Sequence, residues 1–132
     1  MDAATRQLVR DRANDRCEYC GLPQAAAPAI TFHVEHIRAR QHAGGDVPEN
    51  LALACPDCNR HKGPNLSGVN PETQQVVLLF NPRTDSWHDH FEMLDARIIG
   101  LTPTGNATAH TLRMNVDERV RIREELLANG EM

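Results

Sequence analysis

The sequence has little lysine and no long apolar run. Lys62 is the only lysine beside 13 arginines in a chain of 132 residues. A membrane-spanning helix needs about 18 to 20 consecutive apolar residues, a length that no stretch of this chain approaches. The N-terminal segment is charged and lacks the apolar centre of a signal peptide. The missing apolar run excludes a helical membrane span, and we expect a cytoplasmic protein that has no membrane partner.

The chain also lacks the basic surplus that proteins coating nucleic acid usually carry. Its formal net charge is −4. General coating of a polyanion is therefore disfavoured, and any binding to nucleic acid has to rest on a local group of basic side chains. Arginine grips phosphate bidentately, which makes the arginine bias relevant to such binding. The nucleotide composition of the source genome explains the bias equally well.

Short periodic segments separated by turn residues indicate an α+β fold. At 132 residues and 40% hydrophobic composition, the chain suits a single domain over residues 1–132. The last helix has Asn115 and Glu118 at capping-box spacing and Gly130 as its stop. We predict helices over residues 3–13, from Pro56 onward, over 105–114 and over 115–130, and strands over 30–34, 51–54, 76–81 and 96–101.

The four cysteines form two C-x-x-C pairs, Cys17 with Cys20 and Cys55 with Cys58. This spacing turns two thiolates towards one point, and two such pairs complete the tetrahedral ligand set of a structural Zn²⁺. Disulfides or redox pairs are the alternative, but no thioredoxin-like βαβ pattern surrounds either pair. Because four thiolates leave no open coordination position, any chemistry has to lie elsewhere. The 34 residues between the two pairs are the first place to look for it.

That intervening segment and the residues after it carry a specific combination of motifs. They contain HVEHI at residues 33–37, a Gly-Gly loop, NLALACPDCN from Asn50 and then RHK. Together with the cysteine pairs, this combination resembles the HNH endonuclease family, closely from Cys17 to Gly63. Residues 80–115 are also similar to the tail of small stand-alone bacterial members. The resemblance implies a ββα-metal (His-Me finger) HNH core over about residues 17–66, followed by a C-terminal extension of strands and helices over about 70–130.

The resemblance also implies which residues act. His36 aligns with the general base of the family, and Asn50 with the residue that ties the loop so that His36 points at the scissile phosphate. Glu35 and Asn59 align with the ligands of one catalytic cation, and two oxygen ligands favour Mg²⁺ or Mn²⁺. Glu35 is a departure, since Asp is common at that position. His33 aligns with no catalytic position and is interpreted as an ordinary strand histidine.

Phosphodiester hydrolysis needs an activated water and positive charge against the phosphoryl oxygens. A histidine can take a proton from water near neutral pH, and a hard cation supplies the charge. We therefore predict an endonuclease that hydrolyses DNA and, as the resemblance implies, leaves a 5′-phosphate and a 3′-hydroxyl. Basic residues near the predicted site are candidate DNA phosphate contacts: Arg38, Arg40, Arg60 and Lys62.

Two other hypotheses about the function of the site stay open. One is a zinc-stabilised nucleic-acid-binding or interaction module whose nuclease site has lapsed. The other keeps the same chemistry within a homodimer or a larger nuclease assembly. Outside the site, Trp87, His88 and His90 are interpreted as a packed aromatic corner rather than a second metal site. Three arginines of the last helix are interpreted as mostly solvated surface, with a DNA-facing edge as the alternative: Arg119, Arg121 and Arg123.

Overall fold

The computed structural model describes all 132 residues, which divide into two compact units, Met1–Asn65 and Leu66–Met132. Each unit has its own helices, antiparallel strand pairs and buried side chains. This mixture confirms the α+β class. The interpretation of the whole chain as one domain stays a prediction. None of the helices combines the length and the apolar composition that crossing a bilayer requires.

The first unit is built on a two-stranded antiparallel hairpin. β1 (His33–His36) pairs with β2 (Leu51–Ala54) so that Val34 lies opposite Leu53 and His36 lies opposite Leu51. Three short 3₁₀ turns lie in the connections, at Gln24–Ala26, Arg40–His42 and Pro48–Asn50. The regular elements of the unit are α1 (Ala3–Arg12), β1 (His33–His36), β2 (Leu51–Ala54) and α2 (Pro56–Lys62). Strand, loop, strand and helix therefore follow one another in the ββα order.

Helix α1 covers the hairpin and fastens it through two arginines. Its first turn is capped by Asp2, whose side chain accepts a hydrogen bond from the backbone N–H of Thr5 at 2.8 Å. Arg10 donates to the carbonyl of Phe32 at 3.1 Å, and Arg12 donates to the carbonyl of Leu51 at 2.8 Å. All four residues of β2 are fully buried beneath these contacts, so the hairpin is the core of the unit.

The second unit contains two further antiparallel hairpins and two longer helices. β3 (Ser67–Val69) pairs with β4 (Val76–Leu78), and β5 (Phe91–Leu94) pairs with β6 (Arg97–Gly100). Helix α4 (Pro103–Thr111) contacts both hairpins and buries Ala107 and Thr108. Gly105 allows the closest approach, because a Cβ at this position would lie 2.0 Å from the carbonyl oxygen of His90. The elements are β3 (Ser67–Val69), β4 (Val76–Leu78), α3 (Trp87–His90), β5 (Phe91–Leu94), β6 (Arg97–Gly100), α4 (Pro103–Thr111) and α5 (Asp117–Ala128).

The capping box predicted at Asn115 and Glu118 is wrong. Helix α5 has Val116 as its N-cap, and no side chain caps it. The Asn115 amide instead pairs with β6, where it accepts from the backbone N–H of Ile98 at 2.8 Å and donates to the Ile98 carbonyl at 2.7 Å. The asparagine is therefore used as a strand partner, a role that the local sequence does not reveal.

The interpretation of the α5 arginines as solvated surface is wrong for Arg119 and Arg123. Arg119 is buried and donates to the carbonyl of Leu112 at 2.7 Å. Arg123 is 2% exposed and donates to the carbonyls of Met114 at 2.6 Å and Ala96 at 2.7 Å. These guanidinium groups satisfy carbonyls that follow α4 and β5, so they hold the second unit together rather than face a ligand.

The aromatic corner predicted around Trp87 is confirmed. The Trp87 and Phe91 rings lie 5.1 Å apart, and Phe80 meets Phe91 edge-to-face at 5.4 Å. His90 is also engaged, because its Nδ1 lies 2.6 Å from the hydroxyl of Thr102. Ring packing and a hydrogen bond thus account for Trp87 and His90, while His88 is exposed and meets the Trp87 ring edge-to-face at 5.1 Å.

Candidate functional site

The four cysteines converge in the first unit. Their sulfur atoms all lie within 4.8 Å of one another, and the Cys20 and Cys55 sulfurs are 3.7 Å apart. A tetrahedral zinc with Zn–S bonds of about 2.3 Å places its sulfurs about 3.8 Å from each other. All four cysteines are buried and none forms a disulfide. The donor set fits a structural Zn²⁺, as the spacing of the cysteines predicted.

The electrostatics of the cysteine cluster also favour a bound cation. Burial raises the pKa of the Cys17 thiol well above its usual value, and hydrogen bonds with Cys17 and Cys20 raise the pKa of Cys58 in the same way. The backbone N–H groups of Cys20 and Cys58 point at the sulfurs of Cys17 and Cys55, at 3.5 and 3.4 Å. Four thiolates can share this volume only if a cation offsets their charge, which a Zn²⁺ would do.

The first cysteine pair is joined to the hairpin by Glu18. Its backbone N–H donates to the carbonyl of Leu53 at 2.8 Å, and its carboxylate accepts from the Leu53 N–H at 2.9 Å. Leu53 also lies two residues before Cys55. The cysteine cluster is therefore joined to strand β2 both through Glu18 and through the chain at Cys55.

Glu35 lies in a buried polar cluster with Tyr19 and Lys62. The Tyr19 hydroxyl donates to one carboxylate oxygen of Glu35, and the Lys62 ammonium donates to the other at 3.0 Å. Lys62 also donates to the carbonyls of His36 at 3.1 Å and Ile37 at 3.0 Å. Burial raises the pKa of Glu35, while the positive charge of Lys62 and the Tyr19 hydrogen bond act against that rise.

Sequence reasoning missed Tyr19 and placed Lys62 among the phosphate contacts. The Lys62 side chain is 2% exposed and its three donated hydrogen bonds use all of its N–H groups. Its position therefore gives no support to a phosphate contact. A sequence signal did exist. Tyr19 is the only tyrosine and lies between Cys17 and Cys20, and Lys62 is the only lysine and lies four residues after Cys58.

Asn50 ties the loop between β1 and β2. Its side-chain oxygen accepts from the N–H of Arg38 at 2.9 Å, and its side-chain nitrogen donates to the carbonyls of Arg38 and Gly45, each at 2.9 Å. Gly44 is required by this closure, because a Cβ there would lie 1.7 Å from the Arg38 carbonyl oxygen and 2.8 Å from the Asn50 side-chain nitrogen. The loop is therefore fastened at both ends by one asparagine.

His36 faces this loop and contacts Asp46, a residue that sequence reasoning missed. The His36 Nε2 lies 2.6 Å from Oδ1 of Asp46. Arg40 donates to both oxygens of the same carboxylate at 3.0 Å, and the α-amino group of Met1 lies 3.7 Å from Oδ2. Hydrogen bonds from His36 and then Arg40 lower the pKa of Asp46. The only signal in the sequence was an acidic residue directly after the Gly-Gly pair.

A cavity of about 370 Å³ lies between β1 and α2. It brings together four of the predicted site residues: Glu35, His36, Arg40 and Asn59. Asn50 holds the neighbouring loop and does not line the cavity. The remaining lining residues are His33, Val34, Ala39, Gly63 and Pro64.

The other predicted phosphate contacts are exposed arginines. Arg38 is exposed, Arg40 pairs with Asp46 at 3.0 Å, and Arg60 pairs with Asp57 at 2.8 Å. Exposed ion pairs of this kind contribute about 0 to 1 kcal/mol. Arg60 can therefore exchange Asp57 for a phosphate at little cost, whereas Lys62 cannot exchange its partners.

Residues 17–65 match the HNH endonuclease family. These residues form an HNH endonuclease domain. The match begins at the first cysteine and ends where the first unit ends, so it contains both cysteine pairs, β1, β2 and α2. No curated protein and no solved structure matches the chain. The HNH domain indicates nuclease activity on a nucleic acid, and its cysteine cluster indicates a structural zinc.

Proposed function

We propose that the chain is a metal-dependent endonuclease that hydrolyses DNA phosphodiester bonds at the cavity between β1 and α2. The observation that carries this proposal is the presence of Glu35, His36 and Asn59 in one cavity of an HNH domain. They offer an imidazole that can accept a proton and two hard oxygen ligands, and Arg40 adds a positive charge at the same opening. Each requirement of phosphodiester hydrolysis thus has a named residue.

His36 is the proposed general base. A neutral imidazole in the cavity takes a proton from water, and the resulting hydroxide attacks the phosphorus in line with the leaving 3′-oxygen. The bond between phosphorus and the 3′-oxygen breaks, the 3′-oxygen takes a proton from solvent, and the products are a 5′-phosphate and a 3′-hydroxyl. The loop tied by Asn50 keeps the imidazole at the cavity, because the loop carries the residue that His36 contacts.

Glu35 and Asn59 are the proposed ligands of one divalent cation. Both are oxygen donors at the cavity, which suits Mg²⁺ or Mn²⁺. When bound, the cation supplies positive charge to the phosphoryl oxygens and the leaving group. Each Glu35 oxygen already accepts one hydrogen bond, from Tyr19 or from Lys62, and keeps a second lone pair for a ligand bond.

The exposed arginines are the proposed DNA contacts. Arg38, Arg40 and Arg60 flank the cavity in sequence and their side chains reach solvent. We assign Lys62 a different role, which is to hold Glu35 and the end of β1 in place. Because the chain as a whole is acidic, binding rests on these few local charges.

The test is cleavage of supercoiled plasmid by the zinc-loaded protein, without added cation and with Mg²⁺ or Mn²⁺. We expect nicked or linear product only when one of these cations is present. The closest competing function is a zinc-stabilised nucleic-acid-binding module, which is favoured by the existing partners of Glu35 and His36. Binding of DNA without product under any cation would support that module and contradict the nuclease.

A further inference from the structure

The contact between His36 and Asp46 adds a further residue to the proposed reaction. This assignment rests on the proposed role of His36 as the general base. We propose that Asp46 is a positioning residue for the reaction. Its carboxylate accepts the Nε2 hydrogen of His36 and thereby selects the other ring nitrogen, Nδ1, as the one that takes the proton from water. Arg40 holds Asp46 in place for this task.

The geometry of the pair selects the tautomer. The two atoms are 2.6 Å apart, which is a hydrogen-bond distance and requires a hydrogen between them. An ionised carboxylate only accepts hydrogen bonds, so the hydrogen belongs to Nε2. The opposite tautomer would place two lone pairs against each other at this distance. The Nδ1 atom of His36 makes no hydrogen bond within the chain and is left with its lone pair.

Asp46 is itself held by the loop around it. Arg40 donates to both of its oxygens at 3.0 Å, which fixes the plane of the carboxylate. The preceding residue, Gly45, is fastened through its carbonyl to the Asn50 side chain at 2.9 Å. The chain of contacts from Asn50 through Gly45 and Asp46 to His36 thus explains how a residue outside the cavity can orient a base inside it.

Arg40 acquires a role that differs from a phosphate contact. If Arg40 acts through Asp46, its replacement lowers the rate of the chemical step. If it binds phosphate alone, its replacement weakens DNA binding and leaves the step at saturating DNA unchanged. The two roles therefore separate in kcat and KM.

The first experiment is independent of nuclease activity. Long-range ¹H–¹⁵N spectra of the full zinc-loaded chain, recorded near pH 8, report which ring nitrogen of His36 carries the hydrogen and how fast that hydrogen exchanges with water. We expect a slowly exchanging hydrogen on Nε2, and its loss to fast exchange in Asp46→Ala. A hydrogen on Nδ1 in the unmodified protein, or unchanged exchange in Asp46→Ala, would overturn the proposal.

The second experiment measures cleavage. We expect Asp46→Asn and Arg40→Ala to lower the rate at saturating DNA by about 10- to 100-fold, with a much smaller change in KM, and Asp46→Glu to recover part of the rate. Glu49→Gln is the matched control, because it removes one negative charge from the same loop at an exposed side chain. Equal rates for Asp46→Asn and Glu49→Gln would overturn the positioning role. Absence of cleavage by the unmodified protein would instead reject the nuclease, while the spectra would still decide the contact.

Discussion

Lys62 and Glu35 form a buried ion pair at the centre of the HNH domain, with side chains 2% and 6% exposed. Three hydrogen bonds surround the Lys62 ammonium, and the Tyr19 hydroxyl completes the partners of the Glu35 carboxylate. A charge in such a place is tolerated only while its partner is present. Through Tyr19, Glu35 and Lys62, this buried cluster connects the segment of the first cysteine pair with β1 and α2.

We predict that Lys62→Met lowers the free energy of unfolding of the zinc-loaded protein by about 3 to 5 kcal/mol, because it leaves the Glu35 carboxylate buried without its counterion. Arg60→Met on the same helix is the matched control, and its exposed side chain should change stability by about 0.5 kcal/mol or less. Urea unfolding followed by circular dichroism measures both values. Equal unfolding curves for the two variants would contradict the structural role of Lys62.

The residues of the site differ in how far the sequence could reveal them. The zinc ligands could be predicted because C-x-x-C fixes two sulfurs through local backbone geometry alone. His36 and Asn59 were inferred from a motif frame that spans the hairpin and helix. Asp46 was missed because its contact with His36 depends on how the loop folds back.

The loop from Arg38 to Asn50, which connects β1 and β2, depends on a close approach between the backbones of Gly44 and Arg38. A Cβ at Gly44 would lie 1.7 Å from the Arg38 carbonyl, whereas nothing lies within 4 Å of a Cβ at Gly45. The two adjacent glycines therefore offer a matched pair of substitutions that differ only in this contact. Of the two glycines, the loop therefore requires Gly44, whereas the space around Gly45 would accept a side chain.

Gly44→Ala should lower the free energy of unfolding by about 1 to 3 kcal/mol, since the added methyl group forces the loop and the Asn50 side chain apart. Gly45→Ala should stay within about 0.5 kcal/mol of the unmodified protein. Thermal or urea melts of the two zinc-loaded variants measure the difference. If both melt alike, the loop closure described for Asn50 does not limit stability.

The cysteine cluster and the cavity proposed as the active site should respond differently to substitution. Cys55→Ser removes one thiolate from a site whose binding energy is also folding energy, so we expect loss of zinc and unfolding or aggregation of the HNH domain. Asn59→Ala should leave a folded, zinc-loaded protein that needs a higher Mg²⁺ concentration for cleavage. Zinc assays and melting curves distinguish the two. A common profile would contradict the separation of a structural from a catalytic metal.

Some of the short strands could not be predicted from the sequence. β2 was predicted within its observed bounds because four consecutive apolar residues lie between turn residues. β3 and β5 were not predicted, since three and four residues with mixed polarity carry too little periodicity to detect. They become strands because α4 and the aromatic corner cover them, which is a tertiary effect.

For the whole molecule, the distribution of charge decides how an acidic chain binds an acidic polymer. The net charge is −4, yet three exposed arginines flank the cavity of the HNH domain in sequence. In the second unit, Arg119 and Arg123 are committed to backbone carbonyls. DNA binding therefore should involve few phosphates.

We predict a shallow salt dependence for DNA binding. Two phosphate contacts, from Arg38 and Arg60, correspond to a slope of about −2 in a plot of log K against log salt concentration. Fluorescence anisotropy with the His36→Ala protein in Ca²⁺ measures this slope without cleavage. Arg60→Ala should reduce its magnitude by about one, and Arg121→Ala on the exposed side of α5 should not. A slope of about −8, unchanged by Arg60→Ala, would move the DNA-binding surface elsewhere.

The central claim is that His36 is the general base of an HNH nuclease, and single-turnover cleavage by His36→Ala in saturating Mg²⁺ or Mn²⁺ tests it most directly. His42→Ala in the loop after β1 is the control, because the His42 side chain is exposed and does not line the cavity, and zinc content and melting temperature confirm that both variants fold. We predict that His36→Ala lowers the rate by about 10²- to 10⁴-fold while His42→Ala cleaves like the unmodified protein. A His36→Ala rate within a few-fold of the unmodified rate would contradict the account.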